Sequence, residues 1–460
     1  MEKQTSTNRY TGAFISLTFL FFMWGFMTVL NDILIPYLRG AFQLNHAEAM
    51  LIQFAFFMAY FLGSLLYFII SVSRGDPINR MGYKKGIILG LVVSAIGALL
   101  FYPAAQFHIY GFFLSALFVM GLGFTLLQIA ANPYIAILGP ARSASARLNL
   151  AQGFNSLGTT IGPVIGGYLI FVFFKHATGA SAVKIPYLGF SLIFLLMALF
   201  IFFMPLPRFT GNETVEKGFG ALQYRQLKFG MLAIFMYVGG EVCIGSMMIG
   251  FLHLPEIAGL TAAEASKYVA FYWGGQMIGR FLGAVSLSKM KNNLLKYSLM
   301  IAIPLAAFGI IILTSGLDNA LVYGIFLLLN LFVFFLGRSI PQRTLYLFAF
   351  VNIILLLTAL FNQGPLAMWS VIGIGLFNSI MWSNIFTLAI DGLGKHTSQG
   401  SSLLVMMILG GAILPLLMGV AADAYGVHMA YIIPLFSYVY IAFYGINGYK
   451  HKKVVAAKTV

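Results

Sequence analysis

The chain is 460 residues long, 60% hydrophobic and only 8% charged, with a formal net charge of +15. Soluble domains are about one-quarter charged, so this composition excludes an ordinary soluble enzyme or binding module and specifies a polytopic α-helical membrane protein. The basic excess carries no sign of a nucleic-acid partner, because its distribution follows the spans.

Apolar stretches long enough for a bilayer, about 18 residues or more, recur along the chain. The first, near 13–38, runs through FISLTFLFFMWGFM and then meets Asn31 and Asp32. It is too long and too polar for a cleaved signal peptide and is expected to stay as a helix. Further spans are expected near 47–73, 86–105, 108–138, 148–174 and 187–206, closing an N-terminal six-helix bundle over 1–206. The charged stretch 207–228 reads as a cytoplasmic linker. Eight more spans follow, near 229–252, 265–288, 295–315, 319–337, 344–362, 366–390, 398–422 and 429–448, making a C-terminal bundle over 229–460. With the first span starting inside, the 27 Lys and Arg fall in cytoplasmic connections except Arg39, Lys175, Lys184 and Lys267 outside and Arg280 within a span. This is the positive-inside rule, and it puts both termini in the cytoplasm. The lone Cys243 leaves no intrachain disulfide and no cysteine-cluster metal site.

The two halves repeat each other. LNHAEA from Leu44 and LTAAEA from Leu260 share L-x-x-A-E-A at an offset of 260 − 44 = 216. Parallel repeats of this kind build many transporters. VMGLGFTLLQIAANPYIAIL also matches VIGIGLFNSIMWSNIFTLAI, pairing Gly123 with Gly373 and Gln128 with Asn378. The interval from Gly63 to Gly123 is 123 − 63 = 60 residues, whereas that from Gly279 to Gly373 is 373 − 279 = 94. The excess of 94 − 60 = 34 residues is two short spans, and an even number keeps the later basic loops inside. One extra hairpin is therefore expected within 295–362. Asp318 and Asn319 should form its outer turn, and its apolar helices should face lipid.

LNDILIP, LIQFAFF, LLQIAANPYIAILGP, RLNLAQGFNSLGTTIGP, GLFNSIMWSNIFTLAI and SQGSSLLVMMILGGAILP together form a pattern. It resembles the fucose–proton symporter and glucose/galactose transporter branch of the major facilitator superfamily. GDPINRMGYKK, from Gly75, looks like that superfamily's loop signature, with Asn79 where an Asp is usual. The resemblance covers nearly the whole chain except the extra pair. It implies an all-α membrane protein of two six-helix bundles plus the hairpin, about 14 helices in all. It also implies alternating access and cation-coupled sugar uptake. One departure matters: Gln128 stands where the fucose symporter pattern carries a Glu before AANP. A neutral amide cannot exchange a proton, so the resemblance leans toward a hexose other than fucose.

An Asp at the centre of a spanning helix costs about 2.5–3.5 kcal/mol on insertion scales, so it faces the bundle interior or a wet cavity. Asp32 is accordingly expected to couple a cation, and it matches the family's proton-handling aspartate. Glu241 in YVGGEVCIG is the deep acid of the second half and shares that expectation. Na⁺ at Asp32 or Glu241 is slightly preferred over H⁺ as the coupling ion, and no other cofactor is called for. Sugars require groups that both donate and accept, together with apolar faces. The amides expected at the sugar are Asn31, Gln128, Asn132, Gln152, Asn155, Gln276 and Asn378, with Trp273 and Trp382 as platforms. Gln152 and Asn155, three apart, share a helix face. Arg280, toward the cytoplasmic end of its helix, reads as structural, snorkelling or paired with an acid.

These readings predict a secondary transporter importing a glucose- or galactose-like hexose with H⁺ or Na⁺. The alternatives in the same class are an efflux antiporter for sugar or drug, and a symporter for fucose or an N-acetylhexosamine. A membrane-embedded glycosyl- or acyltransferase would need clustered His, Asp or Ser under long loops. Here the seven His are scattered and the loops are short. The expected setting is a bacterial inner membrane. Sugar and lipid are the expected partners, and the monomer the working unit.

Overall fold

The computed structural model describes residues 2–74, 77–137, 144–174, 181–204, 206, 220–287, 292–393 and 397–451. Most of the expected linker, 207–219, and Lys452, Lys453 and Lys458 lie outside the described residues. Among the described residues the chain is helical and has no strand. The first half holds α1 (Glu2–Phe42), α2 (His46–Arg74), the short α3 (Pro77–Met81), α4 (Tyr83–Leu99) with α5 (Phe101–Phe107), α6 (Tyr110–Ile137), α7 (Ala144–Tyr168) and α8 (Lys184–Phe203). The second holds α9 (Arg225–His253), α10 (Ala262–Ser286), α11 (Asn293–Ser315), α12 (Leu317–Gly337) and α13 (Pro341–Phe361). It continues with α14 (Gly364–Asn378) and α15 (Met381–Ile390), α16 (Thr397–Met406) and α17 (Gly410–Tyr425), the one-turn α18 (Val427–Ala430) and α19 (Ile432–Phe443). Thirteen spans qualify by length and hydropathy. The fourteenth is α10, whose Glu264, Lys267, Gln276 and Arg280 lower its hydropathy.

Packing separates the core helices from the added pair. In the first half α1 lies on α7, and α4 lies on both α6 and α8, while α2 lies on α6. The second half repeats this with α9 on α17, α13 on α14 and α19, and α10 on α14. Helix α13 therefore takes the place of α4, and α11 with α12 have no counterpart. They are the expected extra hairpin. Within the most apolar stretch of α11 only 22% of residues are buried, against 83% for α1, so α11 faces lipid. Asp318 and Asn319 lie in the first turn of α12 instead of forming the turn. The turn is made by Gly316 at φ +85°, a conformation open to a residue without Cβ.

The shared L-x-x-A-E-A has a local cause. In α10, Thr261 Oγ1 accepts from Glu264 N at 3.3 Å and Glu264 Oε2 accepts from Thr261 N at 2.9 Å. In α2, Asn45 Oδ1 accepts from Glu48 N at 2.7 Å and Glu48 Oε2 accepts from Asn45 N at 2.9 Å. The repeated Glu is the third residue of the helix and closes a capping box in each half, satisfying N–H groups that a helix start leaves open.

The end of the bundle at which α1 finishes is here termed upper. Cysteines replacing Asp318 and Pro341, 23 residues apart across α12, are expected to label from opposite faces of the membrane. Cys243, the lone native thiol, is buried and gives a quiet background. Labelling of both positions from one side would remove a span and reverse the count.

Candidate functional site

A cavity with about 1120 Å³ of space, its open part included, lies where the two halves meet. Its wall brings together Asp32, Gln128, Gln152, Asn155, Glu241, Trp273, Gln276 and Trp382 from the expected set. Trp24, Thr28, Gln53, Phe57, Tyr60, Thr159, Tyr237, Arg280 and Ser383 complete its polar and aromatic lining.

Asp32 is 3% exposed and fully engaged. Its Oδ1 accepts from Gln53 Nε2 at 3.0 Å and from Ser246 Oγ at 3.3 Å, and its Oδ2 accepts from Trp273 Nε1 at 3.0 Å. Gln53 also donates to Ser246 Oγ at 2.8 Å. Gln53 comes from α2, Ser246 from α9 and Trp273 from α10, so one carboxylate ties the halves together. All three partners donate, and the indole N–H can do nothing else.

Depth follows from the helical rise of about 1.5 Å per residue. Asp32 lies ~15 Å below the end of α1, and Trp273 ~16 Å below the start of α10. Gln128, Arg280 and Trp382 each lie ~27 Å below the upper starts of α6, α10 and α14. The Asp32 knot thus roofs the cavity, whose remaining polar wall lies toward the lower face. Above the knot the halves are closed further. Asp423 at the end of α17 accepts from the backbone N–H of His46 and Ala47 at the start of α2, at 2.7 and 2.8 Å. Gly167 of α7 lies against Ser266 of α10.

Arg280 corrects the expectation for it. It does not snorkel to an end. It lines the cavity, donating to Ser156 Oγ of α7 across the halves and to Gln276 Oε1 at 3.1 Å. Glu241 turns instead to Tyr237, whose hydroxyl donates to its Oε1 at 2.5 Å. Trp24 Nε1 donates to Tyr60 Oη at 3.1 Å, fixing an aromatic edge beside the cavity.

Two expected residues are placed elsewhere. Asn31 is fully buried and absent from the cavity wall, since neighbours on a helix point about 100° apart and Asp32 takes the inward direction. Asn378 is also fully buried. It donates to Tyr272 Oη at 2.8 Å and accepts from Asn352 Nδ2 at 2.9 Å and Tyr438 Oη at 2.8 Å, an internal network of the second half. The side chain of Asn132 lies outside the described residues. Asn155 reaches the wall but donates from Nδ2 to the Phe21 carbonyl of α1 at 2.9 Å. Gln53, Phe57 and Tyr60 were not anticipated, although their i, i+4, i+7 spacing on α2 marks one face. Among the described residues no three His, Cys, Asp or Glu side chains gather as a metal site would require.

Known proteins resemble this chain in sequence and in fold. The sequence model of the Major Facilitator Superfamily matches residues 14–344. A glucose/galactose transporter of Brucella abortus (biovar 1, strain 9-941) is 44% identical over 457 residues, covering 98% of this chain and 97% of that protein. The L-fucose-proton symporter of Escherichia coli K12 is 31% identical over 470 residues, covering 96% of this chain and 94% of that protein. A crystal structure of the transporter FucP in its outward conformation matches with a TM-score of 0.64 at 30% identity, over 95% of this chain and 99% of that one. The paired bundles, the repeated helix caps and these matches agree, and the chain belongs to the major facilitator superfamily.

Proposed function

We propose that the chain is a secondary active importer of a glucose- or galactose-like hexose, driven by cation symport. The observation that carries this reading is Asp32, an intramembrane carboxylate at the roof of a polar cavity, held by donors from both halves. A cation that neutralises Asp32 competes with those donors. The indole N–H of Trp273 loses its acceptor when the carboxylate is occupied, so cation binding and the closure of the halves are linked. The amides and indoles below the roof suit a pyranose, whose hydroxyls donate and accept and whose CH faces are apolar. The names of the relatives, glucose/galactose transporter and L-fucose-proton symporter, support the substrate class and the use of a cation.

By the positive-inside rule the upper face is external and the lower face cytoplasmic, with both termini inside. The conformation is then closed to the outside, and the cavity communicates with the cytoplasmic half. A bacterial inner membrane is the setting, lipid and sugar are the partners, and one chain is the working unit. The domains are the bundle 1–206, the linker 207–228 and the bundle 229–460 with its hairpin.

Uptake of labelled sugar into right-side-out vesicles tests the reading. Accumulation is expected under an imposed cation gradient, with glucose and galactose competing better than fucose. Choline in place of Na⁺ should abolish accumulation if Na⁺ is coupled and spare it if H⁺ is. Failure of either gradient to concentrate any hexose would overturn the proposal.

A further inference from the structure

The extra hairpin touches the core at a specific place. The helix equivalent to α6 in the second half is interrupted, with α14 ending at Asn378 and α15 starting at Met381. Its first-half counterpart α6 runs unbroken from Tyr110 to Ile137. At the interruption the carbonyl of Leu376 is taken by side chains. Ser379 Oγ donates to it at 2.8 Å, and Asn330 Nδ2 of α12 donates to it at 3.1 Å. About two turns earlier on α12, Tyr323 Oη donates to the Phe271 carbonyl of α10 at 2.9 Å. Asn330 and Tyr323 are both buried, on the same face as Ala320, Leu327 and Phe334. The opposite face carries Leu321, Ile325 and Leu328, all more than half exposed.

Both contacts fall beside cavity residues. Phe271 precedes Trp273, which holds Asp32, by two positions, and the interruption precedes Trp382 and Ser383. The two helices concerned meet backbone to backbone, because Gly275 of α10 and Gly375 of α14 have no room for a Cβ: one at Gly375 would collide with the Tyr272 carbonyl. Glycine contacts of this kind permit close approach of the two backbones. An amide in the hydrocarbon region must find a hydrogen-bond partner, and a purely lipid-facing spacer would have no use for one.

We infer that α12 is a brace for the interrupted helix α14–α15. Asn330 holds the break and Tyr323 holds α10, so the placement of Trp382 and Trp273 in the cavity depends on the added hairpin. Both are positioning residues, since neither touches the cavity. The inference goes beyond the proposed transport reaction and stands on contacts that need no substrate.

Hydrogen exchange on the full chain in detergent, without sugar, tests it directly. Asn330→Leu is expected to raise exchange over 376–386, and Tyr323→Phe over 271–277, by about tenfold or more, while the matching part of α6, 126–136, is unchanged. Asn330→Gln, which keeps an amide donor, should recover most of the protection, and Leu328→Ala on the lipid face should change nothing. In sugar counterflow the two positioning variants should raise the half-saturating hexose concentration about three- to tenfold with the maximal rate nearly kept. Unaltered exchange at the break in Asn330→Leu and on α10 in Tyr323→Phe would overturn the brace. So would a loss spread equally over α6 and α14–α15, which is what general destabilisation produces. If no hexose is transported even by the unaltered chain, the transport reading fails and the exchange result still decides the brace.

Discussion

Asp32→Asn is expected to leave a folded protein that equilibrates hexose but no longer concentrates it. The accumulation ratio should fall to about one, because only the neutralisation of a charge inside the membrane links the sugar to the ion gradient. Asparagine has the size of the aspartate it replaces, so packing around the fully buried Leu30 and Ile33 is kept. Its carbonyl oxygen can still accept from Gln53 and Ser246. Its amide nitrogen then faces the indole N–H of Trp273, donor against donor, where the native Oδ2 accepts at 3.0 Å. The variant therefore resembles a permanently occupied site with the link to α10 broken. Counterflow exchange, which needs no net ion movement, should persist at a reduced rate. Accumulation of sugar by this variant under a cation gradient would remove Asp32 from coupling and leave Glu241, bonded to Tyr237, as the acid to test next.

The spans were legible because a bilayer imposes length and apolarity on every crossing segment. Even α10, too polar to be found by hydropathy, was visible through its repeat of α2. The hairpin was legible by counting, because two core glycines must keep their separation while an insertion between them changes it. Its inner face was not. The stretch LVYGIFLLLNLFVFFLG looks uniformly apolar, and the meaning of Asn330 depends on a carbonyl 46 positions away in sequence. The break at 379–380 was hidden for the same reason.

Within the site, acids and indoles were easier to place than amides. A buried Asp has few affordable positions, whereas an amide serves equally well as ligand or as helix-to-helix bond, and Asn378 took the second course. Adjacent Asn31 and Asp32 could not share one direction on a helix, and periodicity alone excludes that pairing. Arg280 was misjudged because its place near a helix end was weighed without the facing Ser156, which no local pattern reveals.

Gly158→Val should unfold the first half more readily and weaken sugar binding together. Helices α1 and α7 cross with their backbones in contact. A Cβ at Gly158 would run into the Phe22 carbonyl and lie 2.7 Å from Phe26 N, and one at Gly25 would run into the Asn155 carbonyl. The obstruction is backbone on both sides, so no rotamer change relieves it and the helices must separate. Overpacking of this kind costs about 1–3 kcal/mol. Gly162 extends the contact one turn on, against Val29 and Phe26, so a local tilt cannot absorb the strain. Gln152 and Asn155 precede Gly158 by six and three residues on α7 and would move with it, and Asn155 would lose its bond to Phe21. The half-saturating hexose concentration should rise about tenfold or more, as misplacement of binding groups by a fraction of an ångström to an ångström does elsewhere. Gly309→Ala is the control: no atom lies within 4 Å of an added Cβ there, in the middle of lipid-facing α11. It should be neutral or stabilise by up to about 1 kcal/mol, the helix preference of Ala over Gly. Thermal unfolding in detergent and hexose counterflow separate the two outcomes. An unchanged unfolding midpoint for Gly158→Val would mean that α1 and α7 do not meet backbone to backbone. The wall carrying Gln152 and Asn155 would then need a different neighbour to hold it against Trp24.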